Sequence, residues 1–255
     1  MRKINIYIST FGKRVLKQKN SKPIEVGASL RNDFYYSLRD DTGNNISKEN
    51  MYFGELTGLY WIWKNDNSAP DDIVGFFHYN KGLDIKKKDL KNITDKTWIV
   101  LKKCNNNAHP FINEVQATRN ILREYYPKYL PVWDKIYRED GSGSMCNAAQ
   151  LFITTYKEFR KYCEFLFGVL FQLRKEIGEG DSSPYYKRYC AFMGERLLTV
   201  YLIANEKTIK ERRMKYPNYI KTICSRILDL IHFNRNSGIY LWFQKKYGRK
   251  SMYKK

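Results

Sequence analysis

A polar run closes a continuous apolar stretch of this chain. Ile73-Val74-Gly75-Phe76-Phe77 passes directly into His78-Tyr79-Asn80-Lys81-Gly82. An imidazole, a phenol, an amide and an ammonium are thereby grouped where a buried strand is expected to end. Two further clusters share that setting: Ser9-Thr10 after Ile4 to Ile8, and Gly27-Ala28 after Pro23-Ile24-Glu25-Val26. A fourth, Asp40-Asp41-Thr42-Gly43-Asn44-Asn45-Ile46-Ser47, is almost all turn formers and leads into a helix. Free backbone N–H groups at a helix start suit a phosphate or sugar hydroxyls. In an open α/β sheet, ligands bind beyond the carboxyl ends of the strands, so these clusters point to one crevice. Any one of them taken alone is more often an ordinary polar loop than a ligand contact. Glu195 stands out differently. It is a carboxylate in an otherwise apolar helix, between Phe192-Met193 and Leu197-Leu198. Such a group is either paired, with Arg196 or another cation, or functional.

The elements that must position these groups are legible as patterns. Alternation over Ile4 to Ser9 predicts a first strand, and Pro23 to Ala28 a short second one. Phe53, Leu56, Tyr60 and Trp63 form one helical apolar stripe, with Ser47 or Asn50 as its cap. Ile73 to Phe77 and Trp98 to Leu101 read as buried strands, and Ala149 to Ile153 as another. Helices are expected over Phe111 to Tyr125, Pro127 to Tyr137, Tyr156 to Ile177 and Cys190 to Ala204, with a flexible loop over Asp140 to Ser144. Strands alternating with helices predict an α/β domain on a mixed sheet. Trp61, Trp63 and Cys163 read as packing.

Composition bounds the rest. The chain has 255 residues, 43% of them hydrophobic and 16% aromatic, which argues against disorder. Lys and Arg number 46 against 26 Asp and Glu, a formal net charge of +20 that favours anionic partners. The charge is uneven. Arg212 to Lys255 holds 12 basic residues and one acidic, Asp229, with Ile220, Ile223, Ile227 and Ile231 at helical spacing. The expectation is a domain over residues 1–211 and a basic amphipathic extension over 212–255. That extension is either a membrane-interface helix or a helix packed on the domain with a solvated tail. No apolar run nears the ~20 residues needed to span a bilayer. The start, Met-Arg-Lys-Ile-Asn-Ile-Tyr-Ile-Ser, is too polar for a secretory signal. Cys104, Cys146, Cys163, Cys190 and Cys224 are dispersed, as free thiols of a reducing compartment would be. His78, His109 and His232 show no metal-ligand spacing, and no nucleotide-binding glycine loop or nucleophile elbow occurs.

A longer pattern joins the clusters. Asp40-Asp41-Thr42-Gly43-Asn44-Asn45-Ile46-Ser47, then Asn50, then Glu55-Leu56-Thr57-Gly58-Leu59-Tyr60-Trp61-Ile62-Trp63-Lys64-Asn65 resembles D-D-x-G-D-N-I-S and E-L-T-G-L-Y-W-x-W-K-N. These belong to a bacterial family of capsular and exopolysaccharide glycosyltransferases long classed as a domain of unknown function. Asp72 to Lys81 is similar to that family's D-Y-I-G-L-C-H-Y-R-R. Tyr162-Cys163-Glu164-Phe165-Leu166-Phe167 and Cys190 to Leu198 resemble its Y-C-E-W-L-F and G-F-L-A-E-R-L-L segments. The resemblance covers about residues 3–212. It implies a GT-A-like fold and transfer of a sugar, galactofuranose or another hexose, from a UDP-sugar to a lipid-linked glycan. The setting it implies is capsule, exopolysaccharide or O-antigen (lipopolysaccharide) synthesis.

Roles follow from the resemblance. Glu195 is expected as general base and His78 as its catalytic companion. Ser9, Thr10, Gly27, Ala28, Asp41, Asn45, Tyr79, Asn80 and Lys81 are expected around the donor, with Tyr79 able to stack on uracil. Glu55, Asn147, Gln150 and Arg196 are expected toward the acceptor, Glu55 being either structural or bonded to a sugar hydroxyl; His78 is equally readable as a satisfied structural histidine, and Tyr79 as filler at the sheet edge. GT-A enzymes usually hold a divalent metal with D-x-D, and this chain has no D-x-D. Metal dependence is therefore left open, with Lys81 or a nearby arginine as the alternative counter-charge to the diphosphate. Asn80-Lys81 replaces the family's paired arginines, which removes a bidentate fork but keeps one charge. The expected place is the cytoplasm, peripheral on the inner face of the membrane, with the basic extension against anionic lipid. Two other classes stay in view: a sugar- or nucleotide-binding module without catalysis, and a basic nucleic-acid-binding protein. No nucleic-acid motif appears, so no nucleic-acid partner is expected.

Overall fold

Alternating apolar residues with β-branched side chains set the first strand, β1 (Ile4–Thr10), and it becomes the hub of the sheet. The computed structural model describes residues 2–106, 112–147, 149–217 and residue 223. Strands β2 (Ser21–Glu25) and β3 (Ile73–His78) flank β1, both parallel to it. All six residues of β3 are buried, as an apolar run without alternation requires of a central strand. The chain continues through β4 (Gly82–Leu83), β5 (Thr97–Leu101), β6 (Cys104–Asn106), β7 (Gly143–Cys146), β8 (Phe152–Thr155), β9 (Thr208–Arg212) and β10 (Met214–Lys215). Six of these strands form one mixed sheet in the order β2-β1-β3-β8-β5-β9. Strand β8 runs antiparallel to both β3 and β5, and β9 parallel to β5.

The helices are α1 (Asn50–Phe53), α2 (Leu56–Asn65), α3 (Lys87–Lys91), α4 (Ile112–Tyr125), α5 (Leu130–Ile136), α6 (Tyr156–Ile177) and α7 (Tyr189–Ala204). Side chains alternate across the strands, and the core divides accordingly. Tyr7, Val74, Phe76, Trp98, Val100 and Phe152 face helices α2, α4, α6 and α7 in the larger apolar cluster. Ile6, Ile8, Phe77, Ile99, Leu101 and Ile153 form the smaller cluster on the other face. Trp61 and Trp63 pack on the larger cluster, Trp63 stacking on Phe167 at 5.6 Å, and Cys163 lies within it.

Several expected boundaries move, each for a local reason. The single stripe helix is two, because Gly54 adopts φ 53° between α1 and α2. Neither Ser47 nor Asn50 caps it. The Ser47 hydroxyl donates to Asp40, and the Asn50 amide donates to the Gly54 carbonyl and Thr57 Oγ1. Ala149 and Gln150 hold positive φ values of 76° and 43°, so the strand expected from Ala149 begins only at Phe152. Gly143 opens β7 inside the stretch expected as loop. Strand β9 carries Thr-Ile-Lys-Glu-Arg at a half-exposed sheet edge and lacks an apolar signal.

The first compact unit spans Met1–Pro217, and a second spans Asn218–Lys255. Strands β9 and β10 keep the chain in the first unit past residue 211. The amphipathic pattern from Ile220 onward lies outside the described residues, Ile223 excepted.

Strands β1, β2, β3 and β5 all run in one direction, so Thr10, Glu25, His78 and Leu101 end at a common edge. The antiparallel β8 starts at that edge. The order β2-β1-β3 places the chain's reversal of direction between β1 and β3. Ser9 pairs there with His78, at the position where such sheets hold ligands.

Candidate functional site

His78 ends β3 inside a tight turn. Its backbone N–H donates to the Lys81 carbonyl at 3.0 Å, and the Tyr79 N–H donates to the Ser9 carbonyl at 2.9 Å. The side chain is 10% exposed. It hydrogen-bonds the Ala149 backbone, the residue held at φ 76°. Its Nε2 is buried without a hydrogen-bond partner and lies 3.8 Å from Glu55 Oε1. Burial, then the Lys81 charge, push the imidazole down to about 3, against the pull of Glu55. The ring is therefore neutral near physiological pH.

Glu55 stands between α1 and α2, at the break that Gly54 makes. Its Oε2 accepts from Arg188 Nη2 at 2.9 Å, and its side chain is 10% exposed. A Cβ on Gly54 would lie 2.9 Å from that same guanidinium, which packs directly over the glycine that the positive φ selects. Burial pushes the Glu55 carboxyl up. A proton on His78 at acid pH, then Arg188, its own backbone N–H and Lys81, override this and hold it below the usual carboxylate range. Since His78 is neutral at pH 7, Arg188 and Lys81 supply the charge felt there.

Glu195, on α7, goes the other way. Burial and the neighbouring Glu55 raise it, while Lys81, Arg196 and Arg188 pull it down by less. Two carboxylates in one field are thus driven apart, the arrangement that separates acid from base roles. Lys81 acts on Glu55, His78 and Glu195, yet its ammonium makes no ion pair within 4 Å among the described residues. Sequence reasoning missed Arg188. The one available signal was its spacing: Arg188 immediately precedes α7, seven residues before Glu195, about two helical turns.

The other expected site residues divide by what already holds them. Ser9 Oγ donates to the Phe77 carbonyl, and Thr10 Oγ1 exchanges hydrogen bonds with Gly12. Tyr79 meets Phe11 edge to face at 4.8 Å. Asn80, Tyr79 and Lys81 are all half-buried at the turn. The Gly27 and Ala28 amides, expected near the donor, donate to the fully buried Asp40 carboxylate at 2.9 and 3.0 Å. Asp41 pairs with Arg39 at 3.1 Å. The Asn45 amide donates to Gly43 and accepts from the Ser47 N–H, both within its own loop.

Toward the acceptor side, Asn147 donates to the Leu101 carbonyl and leaves its Oδ1 buried and unpartnered. Gln150 has both ends of its amide engaged, donating to the Gly194 carbonyl and accepting from Tyr162 at 2.9 Å. Arg196 is a correction. It does not pair with Glu195 within 4 Å; its guanidinium donates to the Gly141 and Phe192 carbonyls inside the fold, and it is 4% exposed.

The residues around His78 suit an anion better than a divalent cation. Glu55 is neutralised by Arg188, and Lys81 places a positive charge among the carboxylates. Among the described residues no group of three or more His, Cys, Asp or Glu has metal-holding geometry.

Residues 5–206 match the family described as a domain of unknown function, DUF4422. The chain belongs to the DUF4422 family. The match falls within the stretch that carries the sequence resemblance. The DUF4422 fold is similar to that of the WbbM bifunctional glycosyltransferase in its apo structure, with a TM-score of 0.69 and 23% identity. The similarity covers 84% of this chain and 45% of the WbbM chain, so the matched region spans under half of that protein chain. No match is found among curated proteins. No helix among the described residues is long and apolar enough to cross a membrane.

Proposed function

We propose that this DUF4422 chain is a glycosyltransferase that moves a hexose, galactofuranose among the candidates, from a UDP-sugar to a lipid-linked glycan. The observation that carries the reading is the grouping of Glu195, Glu55, His78, Lys81 and Arg188 at the β1/β3 edge of a sheet shared with a glycosyltransferase. Glu195, raised by burial, removes the proton from the acceptor hydroxyl as that oxygen attacks the anomeric carbon. The bond to the UDP oxygen breaks, and Lys81 and Arg188 offset the charge that grows on the leaving diphosphate. Ser9, Thr10, Tyr79 and Asn80 line the donor side of the turn, and Glu55 accepts from a hydroxyl of the acceptor. The place of action is capsule, exopolysaccharide or O-antigen synthesis on the inner face of the cytoplasmic membrane. The basic C-terminal residues hold the enzyme near its lipid-linked acceptor there.

A screen of UDP-sugars for UDP release, with and without a short glycan acceptor, tests the reading. Acceptor-dependent release from one donor, abolished in Glu195→Gln, is the expected result. Full activity in that variant would reject the base assignment. Activity lost in a chelator and restored by manganese would reject charge offset by side chains alone.

A further inference from the structure

Arg188 and Lys81 are two cations converging on one buried edge, and the acid that holds the first is not an inert partner. Glu55 is 10% exposed, whereas Arg188 keeps 35% of its side chain open to solvent. The pair is therefore reachable from outside on the arginine's side. Lys81 contributes charge to the same spot without an ion pair of its own among the described residues. His78 Nε2 faces Glu55 Oε1 at 3.8 Å, buried, with no hydrogen-bond partner. The tautomer is set by the other ring nitrogen, which serves the Ala149 backbone, so Nε2 presents a lone pair that only an incoming O–H or N–H can satisfy. A cluster with a half-open guanidinium, an ammonium without an ion pair among the described residues and an orphaned ring nitrogen suits a ligand carrying both an anion and hydroxyls.

We propose that Glu55 is the resident anion of this cluster: in the donor-free protein it holds the guanidinium of Arg188 until the diphosphate of a nucleotide-sugar takes its place between Arg188 and Lys81. Displaced from Arg188, Glu55 turns its oxygens to the acceptor's hydroxyls beside His78 Nε2. The donor therefore binds first and opens the acceptor contact. Arg188 is suited to this exchange because a guanidinium pairs with a carboxylate and with a phosphate through the same planar fork. The guanidinium packs over Gly54, 2.9 Å from where a Cβ would stand, and so lies close beside the α1–α2 break that carries Glu55. The inference rests on the transferase reading for the nature of the ligand, but its central step, exchange of one anion for another, does not.

Calorimetric titration of the full chain with inorganic pyrophosphate and, separately, with UDP tests it. Arg188→Ala and Lys81→Ala are each expected to weaken pyrophosphate at least tenfold, with Arg188→Lys recovering part of the loss. Glu55→Gln is expected to tighten pyrophosphate severalfold, because the competing charge is gone. If that variant does not fold, Glu55→Asp, which reaches Arg188 less well, is expected to tighten it in the same direction. Unchanged affinity in Arg188→Ala, or weaker affinity in the folded Glu55 variants, overturns the proposal. UDP binding that is indifferent to Arg188 overturns the exchange and leaves the transferase reading standing. Pyrophosphate binding that depends on Arg188, without any UDP binding, keeps the exchange and removes the nucleotide-sugar. No binding of either probe to the unaltered chain overturns both.

Discussion

Two polar regions lie along the same edge of the sheet and differ in how completely their groups are satisfied. Around Asp40, both carboxylate oxygens and the Ser47 hydroxyl have partners within the fold, and the one orphan in the turn is Arg31 Nε. The carboxylate takes the Gly27 and Ala28 amides and the Ser47 hydroxyl, while Ser47 Oγ accepts from the Ser29 N–H. Around His78 the accounts are left open. Nε2 is orphaned, Lys81 lacks an ion pair among the described residues, and two glutamates are driven to opposite sides of their ordinary range. A buried polar group without a partner costs about 1–3 kcal/mol, and a ligand that completes it is one way to offset that cost, although Trp98 Nε1 is orphaned in the core as well. Both regions are rich in polar residues and follow strands. What separates a structural loop from a candidate site is the saturation of its hydrogen bonds.

The strongest way to break this comparison is at Glu195. If the open region is catalytic, Glu195→Gln lowers the transfer rate by about 10²–10⁴, the usual worth of a positioned base. Its thermal stability should hold or rise, because the amide has no charge to bury. The pH profile sharpens the claim. A base must be ionised to act, so kcat/KM falls with decreasing pH, and the inflection lies above the ordinary glutamate value because burial raises this carboxyl. A profile that is flat down to the usual carboxylate range removes Glu195 from the chemistry.

The closed region should fail in the opposite manner. Asp40→Ala orphans two backbone amides and a hydroxyl together, and a loss of about 3 kcal/mol is expected from such charge-assisted bonds. Denaturant unfolding reads that loss directly. The fraction that remains folded should retain its rate per molecule. A folded Asp40→Ala protein with normal stability and no activity would make the 27–47 turn a binding element and erase the contrast.

His78 gives an intermediate effect with a defined sign. Its folded value, about 3, lies below the unfolded 6.5, so the unfolded chain binds a proton that the native chain refuses. The stability this confers is fully present above about pH 6.5 and is lost as pH falls toward the folded value. By pH 5 the loss amounts to about 2 kcal/mol. Chemical denaturation of the unaltered protein and of His78→Gln at pH 7.5 and 5 isolates it. The variant should show a drop smaller by that amount; equal drops would mean that the imidazole is not held neutral.

How much of this was readable beforehand depends on the kind of signal. Ile73 to Phe77 announced a central strand, and Tyr156 to Ile177 a helix with its ends placed, because burial imposes long apolar periodicities. His78, Lys81, Glu55 and Glu195 could be singled out because each is polar beside an apolar run. Their convergence needed the fold: Glu55 and Glu195 are 140 positions apart and meet only because α7 packs against the α1–α2 break. Arg188 carried almost no signal, being one basic residue among 46. Nor could composition tell that Asp40 spends its carboxylate on Gly27 and Ala28, or that Arg196 spends its guanidinium on Gly141. Those are facts of hydrogen-bond geometry, not of residue type. Strand β9 stayed hidden because a polar edge strand lacks the alternation that a half-buried one shows.

The smallest expected effect tests the boundary between the two regions. Asp41 was expected near the donor, yet it pairs with Arg39, whose guanidinium also stacks on Phe34 at 4.5 Å. The partners are 36% and 19% exposed, a setting in which an ion pair contributes about 0–1 kcal/mol. If Asp41 belongs to the closed region, Asp41→Asn shifts stability by less than about 1 kcal/mol and leaves pyrophosphate and UDP affinity unchanged. If it belongs to the open one, removing its negative charge should tighten both ligands, in the direction expected of Glu55→Gln. The two variants titrated side by side therefore fix where the cluster's resident charge ends: tightening in Glu55→Gln alone confines it to the Arg188 seat, while tightening in both extends it across the edge to the end of β2.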